Sequence, residues 1–410
     1  MVLNYIWIGF FLIAFVVALI RLIFFQDYQV FTDMLNSTFS MSKTGFELSI
    51  GLTGLMTLWL GIMKVGEKGG MVAILAKLVG PFFNKLFPEI PKDHPATGSM
   101  IMNFSANLLG LDNAATPLGL KTMKEMQELN PVKDTASNAQ IMFLVLNTSG
   151  LSIIPLTILL DRSIMHAENP TDVFIPIMLA TFFSTIVGLI TVSIIQKINL
   201  FDKVILGYLG GLTAFMLGII YYFSTLSPEE VSLVSSAASA IIIFSIIILF
   251  LTLALIKKIN VYDTFIEGAK EGFEISIKII PYLVAMLVAI GVFRSSGTME
   301  LMTDGIKAIV SFFGLDTRFV DALPTAFMKP LSGSGAKSMN IEVMKTFGPD
   351  SFAGRLSSIF RGATETTFFI IAVYFGSVNI KKTRYAVGAG LIADLAGIIA
   401  AIFIGYLFFG

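Results

Sequence analysis

Lys43-Thr-Gly45-Phe46-Glu47-Leu-Ser49-Ile50 and Lys270-Glu-Gly272-Phe273-Glu274-Ile-Ser276-Ile277 are one octet written twice, identical at six of eight positions and 227 residues apart. Around each copy the order of apolar runs and polar interruptions also repeats. Pro88 to Gly110 corresponds to Gly314 to Gly333, and Asn147-Thr148-Ser149 corresponds to Ala363-Thr364-Glu365. A repeated octet in a repeated order of elements reads as an internal duplication.

The material being duplicated is membrane helix. Of 410 residues, 55% are hydrophobic and 14% charged, with a mean hydropathy of +0.83; soluble domains carry about 25% charged residues. The apolar residues fall in runs at 5–25, 46–63, 140–160, 173–196, 203–223, 233–256, 275–293, 352–377 and 385–408. Each run is about long enough to cross a hydrocarbon core of about 30 Å as a helix. The expectation is an all-α polytopic membrane protein with about nine full crossings. The first run is expected to stay as a helix, because no Lys or Arg precedes it and no small-x-small cleavage site follows Arg21. With no cysteine, and only His94 and His166, disulfides and Cys- or His-rich metal sites have no material. A formal net charge of zero gives no electrostatic case for nucleic acid as a partner. The lipid bilayer is the partner that composition requires, and a homo-oligomer is left open.

Helix counting orients the halves. Five runs, an odd number, lie between the start of the first half and the start of the second, so the second half is expected to be inverted. This requires that the polar-interrupted stretches 64–139 and 294–351 return to the side they entered from. Loop charge agrees. Lys197 and Lys203, Lys257 and Lys258, and Lys381, Lys382 and Arg384 mark cytoplasmic loops, whereas Glu229 and Glu230 mark an outer one. Residues 161–172 are then outside and 64–139 inside. Arg21 and the basic residues of 294–351 fit this arrangement less well.

The polar chemistry sits where apolar runs are broken. Residues 97–124 include Asn103, Asn107, Asp112, Asn113 and Pro117; their counterpart, 324–345, includes Pro330, Ser332, Gly333, Ser334, Gly335 and Lys337. About a dozen apolar residues broken at Gly or Pro read as a re-entrant or discontinuous helix, whose freed backbone groups are satisfied beside a hydrated, protein-lined cavity. Interfacial loops turned by the same residues are the plainer alternative. Two further clusters lie within spans: Asn147-Thr148-Ser149-Gly150, and Arg361-Gly362-Ala363-Thr364-Glu365-Thr366-Thr367. An intramembrane carboxylate costs at least ~2.5–3.5 kcal/mol unless paired or wet. Glu365 is therefore expected to pair with Arg361 four residues before it, to contact a solute or cation, or both. Asp394 reads as a helix-packing hydrogen bonder. Glu47 and Glu274 read as residues that cap helices starting beside them, and Pro155 and Pro281 as kinks. No phosphate loop, nucleophile elbow or zinc-protease motif occurs, so no enzymatic activity is expected.

At these residues the chain resembles known families. Residues 1–200 resemble the spore maturation protein A family through Phe87-Pro-Glu-Ile-Pro-Lys-Asp-His94-Pro and Asn107-Leu-Leu-Gly110-Leu-Asp112-Asn113-Ala-Ala-Thr116-Pro117-Leu-Gly119. Residues 231–410 resemble the spore maturation protein B family through Tyr262-Asp-Thr-Phe-Ile-Glu-Gly-Ala-Lys-Glu-Gly272, Lys329-Pro330-Leu-Ser332-Gly333-Ser334-Gly335 and Thr364-Glu365-Thr366-Thr367-Phe368. Residues 201–230 would be an added linking span, which an end-to-end fusion of two oppositely inserted proteins needs. Both families fall in the nucleoside recognition, or Gate, group, and the resemblance implies a transporter-like fold without naming a substrate. In sporulating relatives it implies a part in dehydrating the spore core. The expected function is a multi-pass, inner-membrane secondary transporter or permease for a small polar organic solute, a nucleoside-like one included. Its site would lie between the halves, lined by Asn103, Asn107, Asp112, Asn113, Asn147, Thr148, Ser332, Ser334, Lys337, Thr364 and Glu365. No cofactor is expected beyond a coupling ion, Na⁺ or H⁺. The rival from another class is a non-transporting scaffold or assembly factor for the envelope or spore.

Overall fold

The computed structural model describes residues 2–91, 94–109, 112–151 and 154–410, and their regular structure is helical. The first eight helices are α1 (Val2–Phe25), α2 (Val30–Gly69), α3 (Met71–Leu86), α4 (Pro95–Leu108), α5 (Asp112–Leu129), α6 (Asn138–Ser149), α7 (Leu156–Ile164) and α8 (Phe174–Gln196). After α9 (Lys203–Ser224) the same sequence of long, short and paired helices returns. It comprises α10 (Pro228–Ile256), α11 (Val261–Ser295), α12 (Thr298–Phe312), a 3₁₀ turn (Arg318–Ala322) leading into α13 (Leu323–Met328), α14 (Gly333–Phe347), α15 (Phe352–Gly362), α16 (Thr367–Ser377) and α17 (Ala386–Phe409). Element by element, α1–α8 match α10–α17, and α9 links them.

The halves are inverted, and the octets mark where they meet. Helices α2 and α11 lie side by side over most of their length, with Met41 against Gly291, Gly45 against Val284, Thr57 against Gly272 and Leu60 against Gly268. One index rises as the other falls, so the two equivalent helices run antiparallel. Gly272 stands 227 residues after Gly45, and Val284 stands 227 after Thr57. The two contacts are therefore copies of each other about a twofold axis. Approach is close enough that a methyl group on Gly272 would lie 2.5 Å from the Met56 carbonyl oxygen. Helices α8 and α17 are antiparallel in the same way, from Gln196 against Tyr385 to Ser184 against Ala393 and Gly397.

Contacts between loops define two ends. At the first, Lys85 pairs with Asp202 (2.8 Å), Lys382 with Asp134 (3.4 Å), and Gln196 donates to Tyr385 (2.9 Å). The Lys85 ammonium and the Val204 N–H hold the Asp202 carboxyl below the usual carboxylate range. At the second end Arg162 pairs with Asp172 (2.9 Å) and Asp350 (3.2 Å), and Arg355 with Asp172 (2.7 Å). Among the described residues, seven helices, those containing Tyr5–Phe25, Val30–Gly69, Phe174–Gln196, Lys203–Ser224, Leu233–Ile256, Val261–Ser295 and Ala386–Phe409, are long and apolar enough to span a bilayer unbroken.

The runs at 140–160 and 352–377 also pass from end to end, in keeping with about nine crossings, but as broken helices rather than continuous spans. In the first, α6 ends at Gly150 in the left-handed region (φ 61°), and Pro155 precedes α7. In the second, α15 ends at Gly362 and Thr366 is extended, so α16 starts afresh at Thr367.

The polar-interrupted stretches do not cross. Helices α4 and α5 enter from the first end and fold back, with Asn103 donating to the Ala115 carbonyl at 2.8 Å; α13 and α14 do the same from the second end. Glu47 and Glu274, expected at helix starts, are exposed in mid-helix and pair with Lys43 (3.6 Å) and Lys278 (3.7 Å). Neither Gly nor Pro stands between Val30 and Lys43 to stop α2 from starting a full four turns earlier. Pro281 lies inside an unbroken α11.

Candidate functional site

Each hairpin reaches the break of its own half, and the breaks touch. Asn107 at the end of α4 donates to the Asn147 side-chain oxygen (2.7 Å), and the Phe368 N–H donates to the Pro330 carbonyl (3.0 Å). Between the breaks, the Glu365 N–H donates to the Thr148 carbonyl (2.8 Å), and the Glu365 side chain lies against Gly150. Two interrupted helices thus spend freed backbone groups on each other, as buried main chain must.

Beside this crossing is a cavity of about 560 Å³, within the range of small-molecule sites. Its walls are α2 and α11, through Met56, Leu60, Ile275 and Ile279; its polar rim holds Lys64, Glu67 and Glu271, with Lys64 3.3 Å from Glu271 and 3.4 Å from Glu67. At its inner end stand Lys329 and Lys337 from the second hairpin, Arg361 and Glu365 from the second broken helix, and Thr157 from the first. The cavity therefore has ionisable groups at both ends and apolar walls between.

Charge at the inner end is shared unequally. Asp161 in α7 is 2% exposed and receives both Arg361 and Lys337, the latter at 3.1 Å. Arg361 also lies 3.4 Å from the Thr157 hydroxyl. The expected Arg361–Glu365 pair does not form: the helix ends at Gly362, so a four-residue spacing no longer puts the two on one face. Glu365 instead faces Lys329 at 3.7 Å, its side chain 52% exposed.

Of the residues expected to line the site, Lys337 and Glu365 line this cavity. Asn103, Asn107 and Asn147 form a separate buried network with Tyr374, whose hydroxyl donates to Asn147 (3.3 Å) and lies 3.4 Å from Asn103. Thr148 is buried and donates to the Val145 carbonyl (3.0 Å), while Thr364 packs against Gly397. Ser332 caps α14 by accepting from the Gly335 N–H (3.0 Å), and Ser334 lies 3.2 Å from it. Asp112 and Asn113 begin α5, and their side chains lie outside those described. Asp394 bonds as expected, accepting from the Thr367 hydroxyl at 2.7 Å. Lys329, Asp161 and Thr157 also belong to the site, although nothing in their local sequence marks them as members. Asp161 stands at the end of an apolar run, where an acid looks like loop charge.

The nucleoside recognition (Gate) family matches residues 49–160 and 276–381, two stretches that begin 227 residues apart and include both broken helices. The chain belongs to that family. It is 48% identical over 155 residues to spore maturation protein B of Bacillus subtilis (strain 168), covering 85% of that relative and 38% of this chain. Over another 187 residues it is 38% identical to spore maturation protein A of the same organism, covering 92% of that relative and 46% of this chain. Similarity to two separate proteins, with the helical order described, is that of a fusion of the A-like and B-like halves. No solved structure matches. The protein is a multi-pass membrane protein of the Gate family.

Proposed function

We propose that the protein is a secondary transporter or permease of the inner (cytoplasmic) membrane for a small polar organic solute, driven by a Na⁺ or H⁺ gradient or facilitating diffusion. The observation that carries this is the cavity at the crossed breaks, lined by ionisable side chains from both inverted halves. Main chain freed inside a bilayer is tolerated where it is buried in protein or lines a water-filled cavity. A scaffold that only holds other proteins has no use for Lys329, Lys337 and Glu365 around such a cavity, since each charge is costly there. The family's description as nucleoside recognition supports a solute-binding role.

The test is uptake into proteoliposomes of labelled nucleosides, nucleobases, amino acids and carboxylates, with and without Na⁺ and pH gradients. At least one class should accumulate above protein-free vesicles. Uptake of none by well-folded protein would favour the scaffold role in envelope or spore maturation.

A further inference from the structure

We propose that the cavity is an anion site: it holds a small organic solute by a carboxylate or phosphate group on Lys329, and Glu365 is the resident counter-charge that the solute displaces. This rests on the transport reading in taking the cavity as the solute's place, and names the solute's chemical class.

Three cations, Lys329, Lys337 and Arg361, stand at the inner end against two carboxylates, Asp161 and Glu365. Asp161 serves Lys337 and Arg361 together, so its negative charge is already shared twice. Lys329 has what remains. It is only 8% exposed, yet its nearest carboxylate oxygen, on Glu365, is 3.7 Å away, beyond hydrogen-bond distance. An ammonium carries three donors and no acceptor. Withdrawn from bulk water, and with no accepting oxygen within hydrogen-bond distance among the described residues, it is an expensive group to keep unless a ligand completes it. Glu365 is the opposite case: half-exposed in the cavity and loosely engaged, it is placed to leave.

Two further features favour an oxyanion over a neutral or cationic solute. Lys329 sits at the turn of the second hairpin, where α14, a helix of 15 residues, begins with Gly333 in the cavity wall. The positive end of that helix adds to the field of the three cations. At the inner end a solute cation would meet three cations against two carboxylates, and no group of three or more acidic or histidine side chains among the described residues offers a metal its ligands. The apolar walls of Met56, Leu60, Ile275 and Ile279 suit the solute's organic body.

The test uses the full chain in detergent, followed by thermal shift against succinate, benzoate, uridine 5′-monophosphate and uridine at equal ionic strength set with sodium chloride. Saturable stabilisation by succinate or benzoate, or by the nucleotide, is expected, with none from uridine; which anion binds tighter separates carboxylate from phosphate. Lys329→Gln should weaken that anion about tenfold or more. Glu365→Gln removes the competing carboxylate and should tighten it about tenfold, a direction opposite to that of a cation site. If Lys329→Gln does not fold, the sign of the Glu365→Gln effect decides. Equal stabilisation by uridine, no response to any anion, or weaker anion binding in Glu365→Gln overturns the proposal. Anion binding without vesicle uptake would remove the transport reading and leave the anion site. Uptake of a neutral solute unaltered in Lys329→Gln would do the reverse.

Discussion

Loss of the Asp161 carboxylate removes the shared partner of two cations, the buried Arg361 and the partly buried Lys337. Breaking a buried ion pair by removing one partner costs about 3–5 kcal/mol, most of it the penalty of the stranded charge. Asp161→Asn should therefore lower the melting temperature in detergent sharply. Arg361→Met added to it should recover part of the loss, because the stranded guanidinium is then gone. A double mutant no more stable than the single would show that Arg361 is held by something other than Asp161. None of this pairing was legible in the sequence, where the partners stand 200 residues apart and the nearer acid, Glu365, offers a helical spacing. What was legible was that an intramembrane acid and base need partners. Which partners they take depends on the chain breaking at Gly362, a tertiary event that local spacing does not report. Asp394, whose hydrogen bond to Thr367 joins neighbouring helices, was read correctly because a lone acid in an apolar helix has few other uses.

Among the helices, α2 and α11 set the geometry of the site, since they form two of the cavity's walls and meet where the octets lie. Their approach depends on small residues: a methyl group on Gly272 would lie 2.5 Å from the Met56 carbonyl oxygen and 2.9 Å from the Thr57 Cα, both backbone atoms that a rotamer change cannot move. Gly272→Leu should force the pair apart and cost about 1–3 kcal/mol or more, read as a fall in melting temperature and loss of monodisperse protein. Gly54, on the same α2, faces open space. Gly54→Ala should be neutral or stabilising by up to about 1 kcal/mol, the helix-propensity difference alone. Equal harm from both substitutions would mean that packing at the octets is not what Gly272 serves. The octet repeat disclosed the correspondence of α2 and α11, because close helix contact restricts which residues fit and leaves a readable trace. Helix starts left no such trace: α2 runs back to Val30 because nothing in 30–43 stops it. The breaks at 140–160 and 352–377 were hidden by apolar residues that continue past Gly150 and Gly362, although Pro155 and the Thr364-Glu365-Thr366-Thr367 run were visible signs.

At the scale of the whole molecule, inversion was legible from an odd number of crossings, and it survives the corrections to individual helices. The broken helices still pass from one end to the other, and the hairpins return to the end they left, so the parity is unchanged. Loop charge was a weaker guide for 294–351 and Arg21, and the reason is now structural. At the second end the cations are tied up: Arg162 with Asp172 and Asp350, Arg294 with Glu300 and Glu342, Lys307 with Asp321, and Arg21 with Asp27. Paired and partly buried cations are folded into the protein rather than left in short loops, where the positive-inside bias is counted. Lys197, Lys203, Lys257, Lys258, Lys381 and Lys382, of which Lys382 pairs with Asp134, fall in or beside the short connections of the first end. The first end should therefore be cytoplasmic. Lys258 and Glu230 are exposed and lie at opposite ends of α10. Cysteines placed singly at these positions, in a chain that has none of its own, should label from opposite sides of intact cells and inverted vesicles. A membrane-impermeant maleimide should reach Glu230→Cys from outside and Lys258→Cys only after permeabilisation. Labelling of both from one side would contradict the nine-crossing inverted arrangement. Labelling from opposite sides but in the reverse sense would keep the fold and turn the cavity's Lys64–Glu271 rim toward the outside.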